Sequence, residues 1–144
     1  MPPAPRPQGP AFVVHDLKQA LAVLRAAAEL DRPVVLVSPP AAAAIEGALW
    51  FRELIAMAAA EMPAADFEAV IDCGDHPGYV LESLSLGLKW VRFHGGGDDA
   101  ARLAALAQAH GATLIGEELG EIDLETAADP EPIVRKHLLA PRRL

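Results

Sequence analysis

The sequence predicts an α/β fold built on parallel strands. Short apolar runs alternate with longer amphipathic stretches five times in succession along the chain, which is typical of repeated strand and helix units. The run Val34–Val37 is apolar throughout, as in parallel strands that are covered on both faces. This alternation favours either a singly wound, barrel-type sheet or a doubly wound open sheet, in one domain over residues 11–144.

Five apolar runs are predicted as the strands. Each is four or five residues long and rich in Val, Ile, Leu or Phe, which matches a typical strand. The fourth run alternates between polar and apolar residues, indicating one face that is less completely covered. The runs lie at 11–14, 34–37, 67–71, 89–93 and 112–115.

Helices are predicted between these strands. After Asp16, a good N-cap, the residues Leu17, Leu21 and Leu24 recur on one helical face. Gly87 is placed to end the third helix, and Asp129 with the following proline is placed to begin the last one. The helices are predicted from 17 to about 31, at 41–60, 79–86 and 99–110, and from 130 onward. The second carries a broad apolar stripe made of Ile45, Leu49, Trp50, Leu54, Met57 and Ala58.

Composition and charge exclude several classes of function. A formal charge of −8 disfavours nucleic acids and anionic membranes as partners, because both are bound mainly through Lys and Arg. The single cysteine excludes an internal disulfide, so a cytoplasmic protein is expected. Residues 1–10 are predicted to form a proline-rich, flexible, solvated arm without a signal sequence. The apolar stretch 41–62 contains Glu46, Arg52 and Glu53, which argue against a membrane span.

Polar residues follow the third predicted strand directly. The segment continues through Asp72, Cys73, Gly74, Asp75 and His76, at the sheet edge where α/β folds bind their ligands. The two aspartates could share a proton or bind a cation or substrate, and the thiol with the imidazole could bind a metal. The alternatives are an apolar buried cysteine, a histidine in a turn, and aspartates that cap a helix or face water.

Several motifs resemble those of the class II fructose-bisphosphate aldolase family, which builds a zinc-dependent (β/α)8 barrel. Ala11–Gln19 resembles the family segment AFNVNNLEQ, and Ala69–Gly74 resembles ALHLDHG. The region of Gly111–Leu114 and Glu118–Gly120 is similar to GVSVEAELG. The resemblance implies a five-stranded, partial TIM barrel. The alternative that the strand pattern leaves open is a flavodoxin-like, doubly wound sheet.

The resemblance also implies roles for individual residues. Asp72 stands at the carboxylate that donates and accepts the substrate proton, and Ser38 at a serine that contacts substrate. Glu118 corresponds to an accessory metal-site glutamate, although a shift of one residue would select Glu117 instead. Two further residues, Gly95 and Gly96, follow the fourth strand where the family has VMIDGS, and they are expected to bind substrate.

The chain departs from the family at the metal site. Cys73 replaces the first zinc histidine, His94 replaces an aspartate, and Val13 replaces an asparagine. The family's sixth, seventh and eighth strands, which supply two zinc histidines and the phosphate loops, have no counterpart in these residues. A single copy of this chain is therefore not expected to bind a cofactor. If zinc binds, the candidate ligands are Cys73, His76, His94 and Glu118.

Three functions remain open from the sequence. The first, which we favour, is a non-catalytic, aldolase-like domain that binds a small ligand at the carboxyl edge of the strands. It is expected to form a homodimer, since a partial barrel would expose an apolar inner face. The second is a metal-dependent aldehyde-lyase acting on a sugar phosphate, with its site completed across a dimer. The third is a flavodoxin-like binding or regulatory module.

Overall fold

The structure is a computed structural model that describes residues 5–140. Six parallel strands form one sheet in the order β5-β4-β3-β2-β1-β6. The strands are β1 (Ala11–Val13), β2 (Val34–Val37), β3 (Phe67–Asp72), β4 (Trp90–Arg92), β5 (Thr113–Ile115) and β6 (Ile122–Asp123). The helices are α1 (Leu17–Leu30), α2 (Ala48–Glu61), α3 (Pro77–Ser85), α4 (Gly97–Ala109) and α5 (Pro130–Leu139).

The strand order confirms the barrel-type prediction and excludes the flavodoxin-like alternative. The first five strands pair in sequence order, as they do in a singly wound barrel. The predicted number of strands is wrong by one, because β6 pairs with β1 through the register Phe12↔Ile122. Since β6 has only two residues, it is too short to produce a periodic pattern in the sequence.

The sheet must be strongly curved to accommodate the link between β5 and β6. These strands occupy opposite edges of the sheet, yet only residues 116–121 connect them. Six flat strands would separate the two edges by about 24 Å, which is close to the full extended length of that link. Curvature therefore draws the carboxyl ends of the strands toward one another.

Alternate residues of each strand pack into two separate apolar cores. The larger core lies between the sheet and the helices, and the smaller one lies on the inner face of the curved sheet. The inner residues are each at most 5% exposed in the single chain, and they are Ala11, Val13, Val35, Val37, Val70 and Ile115. The expectation of an exposed apolar inner face is therefore wrong, because Trp90 and Leu119 pack against it. A homodimer remains a prediction, but the argument from an exposed apolar inner face no longer supports it.

Part of the predicted N-terminal arm packs against the sheet. Pro7 is buried, and the carbonyl oxygen of Pro10 accepts a hydrogen bond of 2.9 Å from the Val35 N–H. Gly9 has a φ of 105°, and a Cβ there would overlap the carbonyl oxygen of Pro33. Residues 7–10 thus extend the contact that β1 makes with β2, whereas residues 1–4 of the predicted arm lie outside the described residues.

The second helix begins later than predicted and buries only part of its apolar stripe. A π-helical turn at Ala43–Gly47 precedes α2. Leu54 and Ala58 are buried. Three residues of the predicted stripe, Ile45, Leu49 and Met57, are 74%, 49% and 55% exposed. No helix within residues 5–140 has both the length and the apolar character needed to cross a membrane.

Candidate functional site

A cleft of about 370 Å³ lies at the carboxyl ends of the strands. Curvature of the sheet brings residues from β1, β3, β4 and β6 together there, along with the loops that follow them. Its lining combines a few apolar residues with a dense group of charges. The lining residues are Val13, Pro40, Asp72, Arg92, His94, Glu118, Gly120, Glu121 and Asp123.

Asp72, the predicted catalytic residue, lies at the centre of this charged group. It is the last residue of β3, and its neighbour in the register of β4 is Arg92. Its Oδ2 lies 2.7 Å from Arg92 Nε and 2.8 Å from His94 Nε2. Its Oδ1 accepts hydrogen bonds from the backbone N–H groups of Ala41 and Gly74, at 3.0 and 2.9 Å. Four donors therefore surround one buried carboxylate.

These donors hold Asp72 in its ionised form. Burial by itself would raise the pKa of Asp72, but the hydrogen bonds from Arg92, His94, Ala41 and Gly74 outweigh it and lower the pKa below its ordinary value of 3.8. Because an ionised carboxylate can only accept hydrogen bonds, His94 Nε2 must carry the proton in their contact. Asp72 thus acts as a fixed negative charge at neutral pH.

Arg92 links Asp72 to the loop that follows β5. Its side chain is only 2% exposed, and its Nη1 lies 2.7 Å from Glu121 Oε2 and 3.4 Å from Glu118 Oε2. Burial opposes the charge of Arg92, but the carboxylates of Asp72 and Glu121 raise its pKa. Burial likewise opposes the charge of Glu121, yet the Leu119 N–H and Arg92 lower its pKa. Arg92 therefore ties the link 116–121 to β3.

Two predicted metal residues, His94 and Glu118, do line the cleft. The side chain of His94 is 36% exposed and that of Glu118 is 68% exposed, and His94 Nε2 lies 3.9 Å from Glu118 Oε1. Glu117, the alternative to Glu118, instead lies 3.9 Å from Arg6. The structure therefore places Glu118, and not Glu117, at the cleft.

Cys73 lies on the opposite side of the sheet from Asp72. It belongs to the core beneath the helices, and its Sγ lies 3.4 Å from Ser83 Oγ in α3. The reason is that successive residues of an extended strand point to opposite faces. The expectation that Cys73 joins a metal site beside Asp72 is corrected by this placement. Burial raises the pKa of the Cys73 thiol to about 11, with the Ser83 contact opposing the rise.

The Cys73 thiol is expected to be unreactive in the folded protein. Thiolate is the reactive form, and at pH 8 a thiol with a pKa of about 11 supplies very little of it, in a position with no solvent exposure. With Ellman's reagent we expect slow labelling that becomes fast in guanidinium chloride. As a control, the variant Ala64→Cys should add one rapidly labelled thiol, because Ala64 is exposed. Fast labelling of the native protein would contradict this placement.

The remaining predicted site residues do not contribute free groups to the cleft. Ser38 is buried, and its Oγ accepts the Asp72 N–H at 2.9 Å and donates to the Pro39 carbonyl. Asp75 and His76 have exposed side chains that contact each other at 3.5 Å beside α3. A Cβ at Gly95 would overlap the Phe93 ring, so Gly95 permits close packing of the loop.

Gly96 also has a structural position, since it is the N-cap residue of α4. The first turn of that helix carries Asp98 and Asp99. These carboxylates already complement the positive end of the helix dipole, and they would repel a bound anion. Substrate binding by Gly95 and Gly96 therefore stays a prediction, without a favourable charge to support it.

One other group of residues has metal-ligand geometry. Within residues 5–140, the ligand atoms of His15, Asp123 and Glu125 lie within 4.8 Å of one another. His15 Nε2 is 2.7 Å from Asp123 Oδ1. The predicted ligands Cys73, His76, His94 and Glu118 do not form such a group.

Sequence reasoning missed three charged residues of the cleft, namely Arg92, Glu121 and Asp123. Arg92 is placed on the inner face because its register partner is Asp72. The alternation of polar and apolar residues in the fourth predicted strand indicated that Arg92 lies on one face of the sheet. A charged residue in such a pattern is, however, usually interpreted as facing solvent. Asp123 lies in the unpredicted strand β6 and Glu121 directly precedes it, so the sequence offered no way to place either residue.

Comparisons with known proteins agree with this fold. No family model and no curated protein matches the sequence. Among solved structures, the chain is similar to a Coccidioides immitis protein inferred to be a fructose-1,6-biphosphate aldolase, with 22% sequence identity and a TM-score of 0.58. The match covers 73% of this chain and 44% of the other, so the chain spans less than half of that protein. At this identity the likeness shows an aldolase-like α/β fold and leaves function to the site.

Proposed function

We propose that this chain is a ligand-binding domain with an aldolase-like fold, which binds a small polar molecule in the cleft and does not cleave sugar phosphates. The cleft lies at the carboxyl ends of parallel strands, which is where α/β folds bind their ligands. Its volume of about 370 Å³ is within the usual range for a small-molecule site.

The observation that carries this proposal is the set of four hydrogen bonds to Asp72. A carboxylate that shuttles a proton during catalysis needs a pKa near the working pH and an oxygen free to reach the substrate. Asp72 is buried, its pKa is lowered, and both oxygens already accept hydrogen bonds. These features suit a fixed charge that organises a binding cleft.

The position of Cys73 supports the same proposal. The residue that replaces the family's first zinc histidine faces the core beneath the helices, with no solvent exposure. A thiol with a raised pKa in that position is a poor metal ligand, because metals bind the thiolate. The aldolase mechanism, in which a metal polarises a carbonyl beside a proton-transfer group, therefore lacks support on both counts.

The proposal is tested by two measurements on the same protein. In the first, protein incubated with zinc is given fructose 1,6-bisphosphate, and release of triose phosphate is followed by a coupled assay. We expect no release above the background. Release that is abolished in the variant Asp72→Asn but retained in Asp75→Asn would overturn the proposal and favour the aldehyde-lyase alternative.

The second measurement tests binding directly. Amide resonances are recorded by NMR while neutral polyols, amines and sugar phosphates are added one at a time. We expect saturable changes in the amide chemical shifts of His94, Glu118 and Asp123, which line the cleft. We expect no change in the shift of Ala64, which precedes the amino end of β3. If no class of compound changes the cleft resonances, the proposed binding function is wrong.

A further inference from the structure

We infer that the outer face of α2 is the contact surface between two copies of this chain, which pair there as antiparallel helices about a two-fold axis. This surface, the α2 face, consists of the exposed residues Leu49, Glu53, Ala56, Met57 and Ala60. The cleft takes no part in this pairing. Two features of the α2 face support it: its apolar character, and the order of large, small and charged side chains along the helix.

The α2 face differs from the outer surface of the neighbouring helix. Helices α1 and α2 both have 14 residues, and they pack against each other. The exposed residues of α1 are all charged, namely Lys18, Arg25 and Glu29. Four of the six exposed residues of α2 are apolar, and Leu49 and Met57 among them are 49% and 55% exposed. An apolar surface of this kind is typical of an interaction site.

The residues of the α2 face form a row that a second helix can contact along its length. Leu49, Glu53, Ala56 and Ala60 recur at intervals of three and four residues, so they lie on one side of the helix. The buried residues lie on the opposite side, and they are Ala48, Phe51, Leu54 and Ala58. The row therefore faces away from the sheet. Ile45, which is 74% exposed, adds a further apolar side chain in the turn before α2.

The row is complementary in size to its own reversed copy. A two-fold axis between residues 52 and 53 reverses the helix direction, so that Leu49 of each copy faces Ala56 of the other. A large side chain then meets a small one, which lets two helices approach to about 8 Å. A surface that fits its own reversed copy identifies the partner as a second copy of the same chain.

Charge favours the same register. The side chains of Arg52 and Glu53 are 42% and 58% exposed, and Arg52 Nη2 lies 3.0 Å from Glu53 Oε1. Because these residues flank the axis, Arg52 of each copy lies beside Glu53 of the other. The two pairs then form a ring of four alternating charges at the centre of the contact. Charged pairs at an interface specify its arrangement more than its strength, so burial of the apolar side chains supplies the stability.

Association is measured by sedimentation equilibrium of the full chain. One pair of 14-residue helices buries less than a standard interface of about 1,600 Å², so we expect a dissociation constant of about 100 µM. Between about 10 µM and 1 mM protein, the mass should rise from that of one chain, 15.2 kDa, toward twice that value. A mass that stays at one chain throughout would overturn the inference.

Matched variants assign the association to the α2 face. Leu49→Glu and Ala56→Glu should each raise the dissociation constant about tenfold or more, because each places a charge in the apolar contact. Leu139→Glu introduces the same charge on a side chain that is 64% exposed in α5, which packs on α1, and it should leave association unchanged. Circular dichroism verifies that each variant is folded. An equal loss in Leu139→Glu, or no loss in either α2 variant, would contradict the inference.

A crosslink tests the antiparallel register. Glu53→Cys places the thiols of the two copies beside the axis, whereas Ala60→Cys places them about 20 Å apart. With a short bismaleimide we expect crosslinked dimers from Glu53→Cys and none from Ala60→Cys. Cys73 is buried and should not react. Crosslinking of both variants, or of Ala60→Cys alone, would show a different register and overturn the inference.

Discussion

Replacing Asp72 with Asn is expected to lower the free energy of unfolding by about 3–5 kcal/mol. The change removes the charge that pairs with Arg92 at 2.7 Å in a buried position. It also turns one carboxylate oxygen into an NH2 group that would face either Arg92 Nε and His94 Nε2 or the N–H groups of Ala41 and Gly74. The NH2 group would then face other hydrogen-bond donors, and the hydrogen bonds at that oxygen position would be lost. Urea unfolding followed by circular dichroism measures the loss.

Asp75→Asn is the matched control for this prediction. It makes the same chemical change three residues away, on a side chain that is 76% exposed. Surface substitutions of this kind usually change the free energy of unfolding by less than about 0.5 kcal/mol. If Asp72→Asn costs as little as Asp75→Asn, then Asp72 does not hold the strand ends together as described.

Replacing Arg92 with Met is expected to cost a similar amount, about 3–5 kcal/mol. Methionine keeps much of the apolar volume but leaves the carboxylates of Asp72 and Glu121 without their shared guanidinium. Amide protons in the link 116–121 should also exchange faster than in the unchanged protein, because Arg92 connects that link to β3. Urea unfolding and hydrogen exchange measure the two effects.

Arg52→Met serves as the control, because Arg52 forms an exposed pair with Glu53 that should contribute less than about 1 kcal/mol. The double variant Asp72→Asn with Arg92→Met should lose less than the sum of the two single losses, since each residue destabilises mainly by leaving the other unpaired. Strictly additive losses would contradict direct coupling between the two side chains.

The extent of the fold that could be predicted from the sequence follows from the strength of each local pattern. The run Val34–Val37 and the three residues 69–71 before Asp72 are apolar on both faces, so they identify parallel strands without knowledge of their neighbours. Asp16 and Asp129 mark helix starts by their capping chemistry, and both side chains accept the expected backbone N–H groups. Strand β6 left no such mark, because it is defined by its pairing with β1.

The candidate site was predictable only in part for a related reason. Asp72 could be placed because it ends a strand, and the carboxyl ends of parallel strands meet at one edge. Whether the next residue shares that site depends on which face it occupies, and Cys73 lies on the helix side. Arg92 could be recognised as a partner of Asp72 only from the register between β3 and β4, which a single sequence does not specify.

The central claim is that Asp72 is a fixed negative charge that organises a binding cleft. It is tested most directly by following the side-chain carboxyl carbon of Asp72 by NMR as the pH is lowered from neutral. Because the hydrogen bonds from Arg92, His94, Ala41 and Gly74 lower its pKa, we expect the signal to stay constant until the pH falls below the ordinary value of 3.8. Protonation at a pH well above that value would show a carboxyl group poised for proton transfer and would contradict the claim.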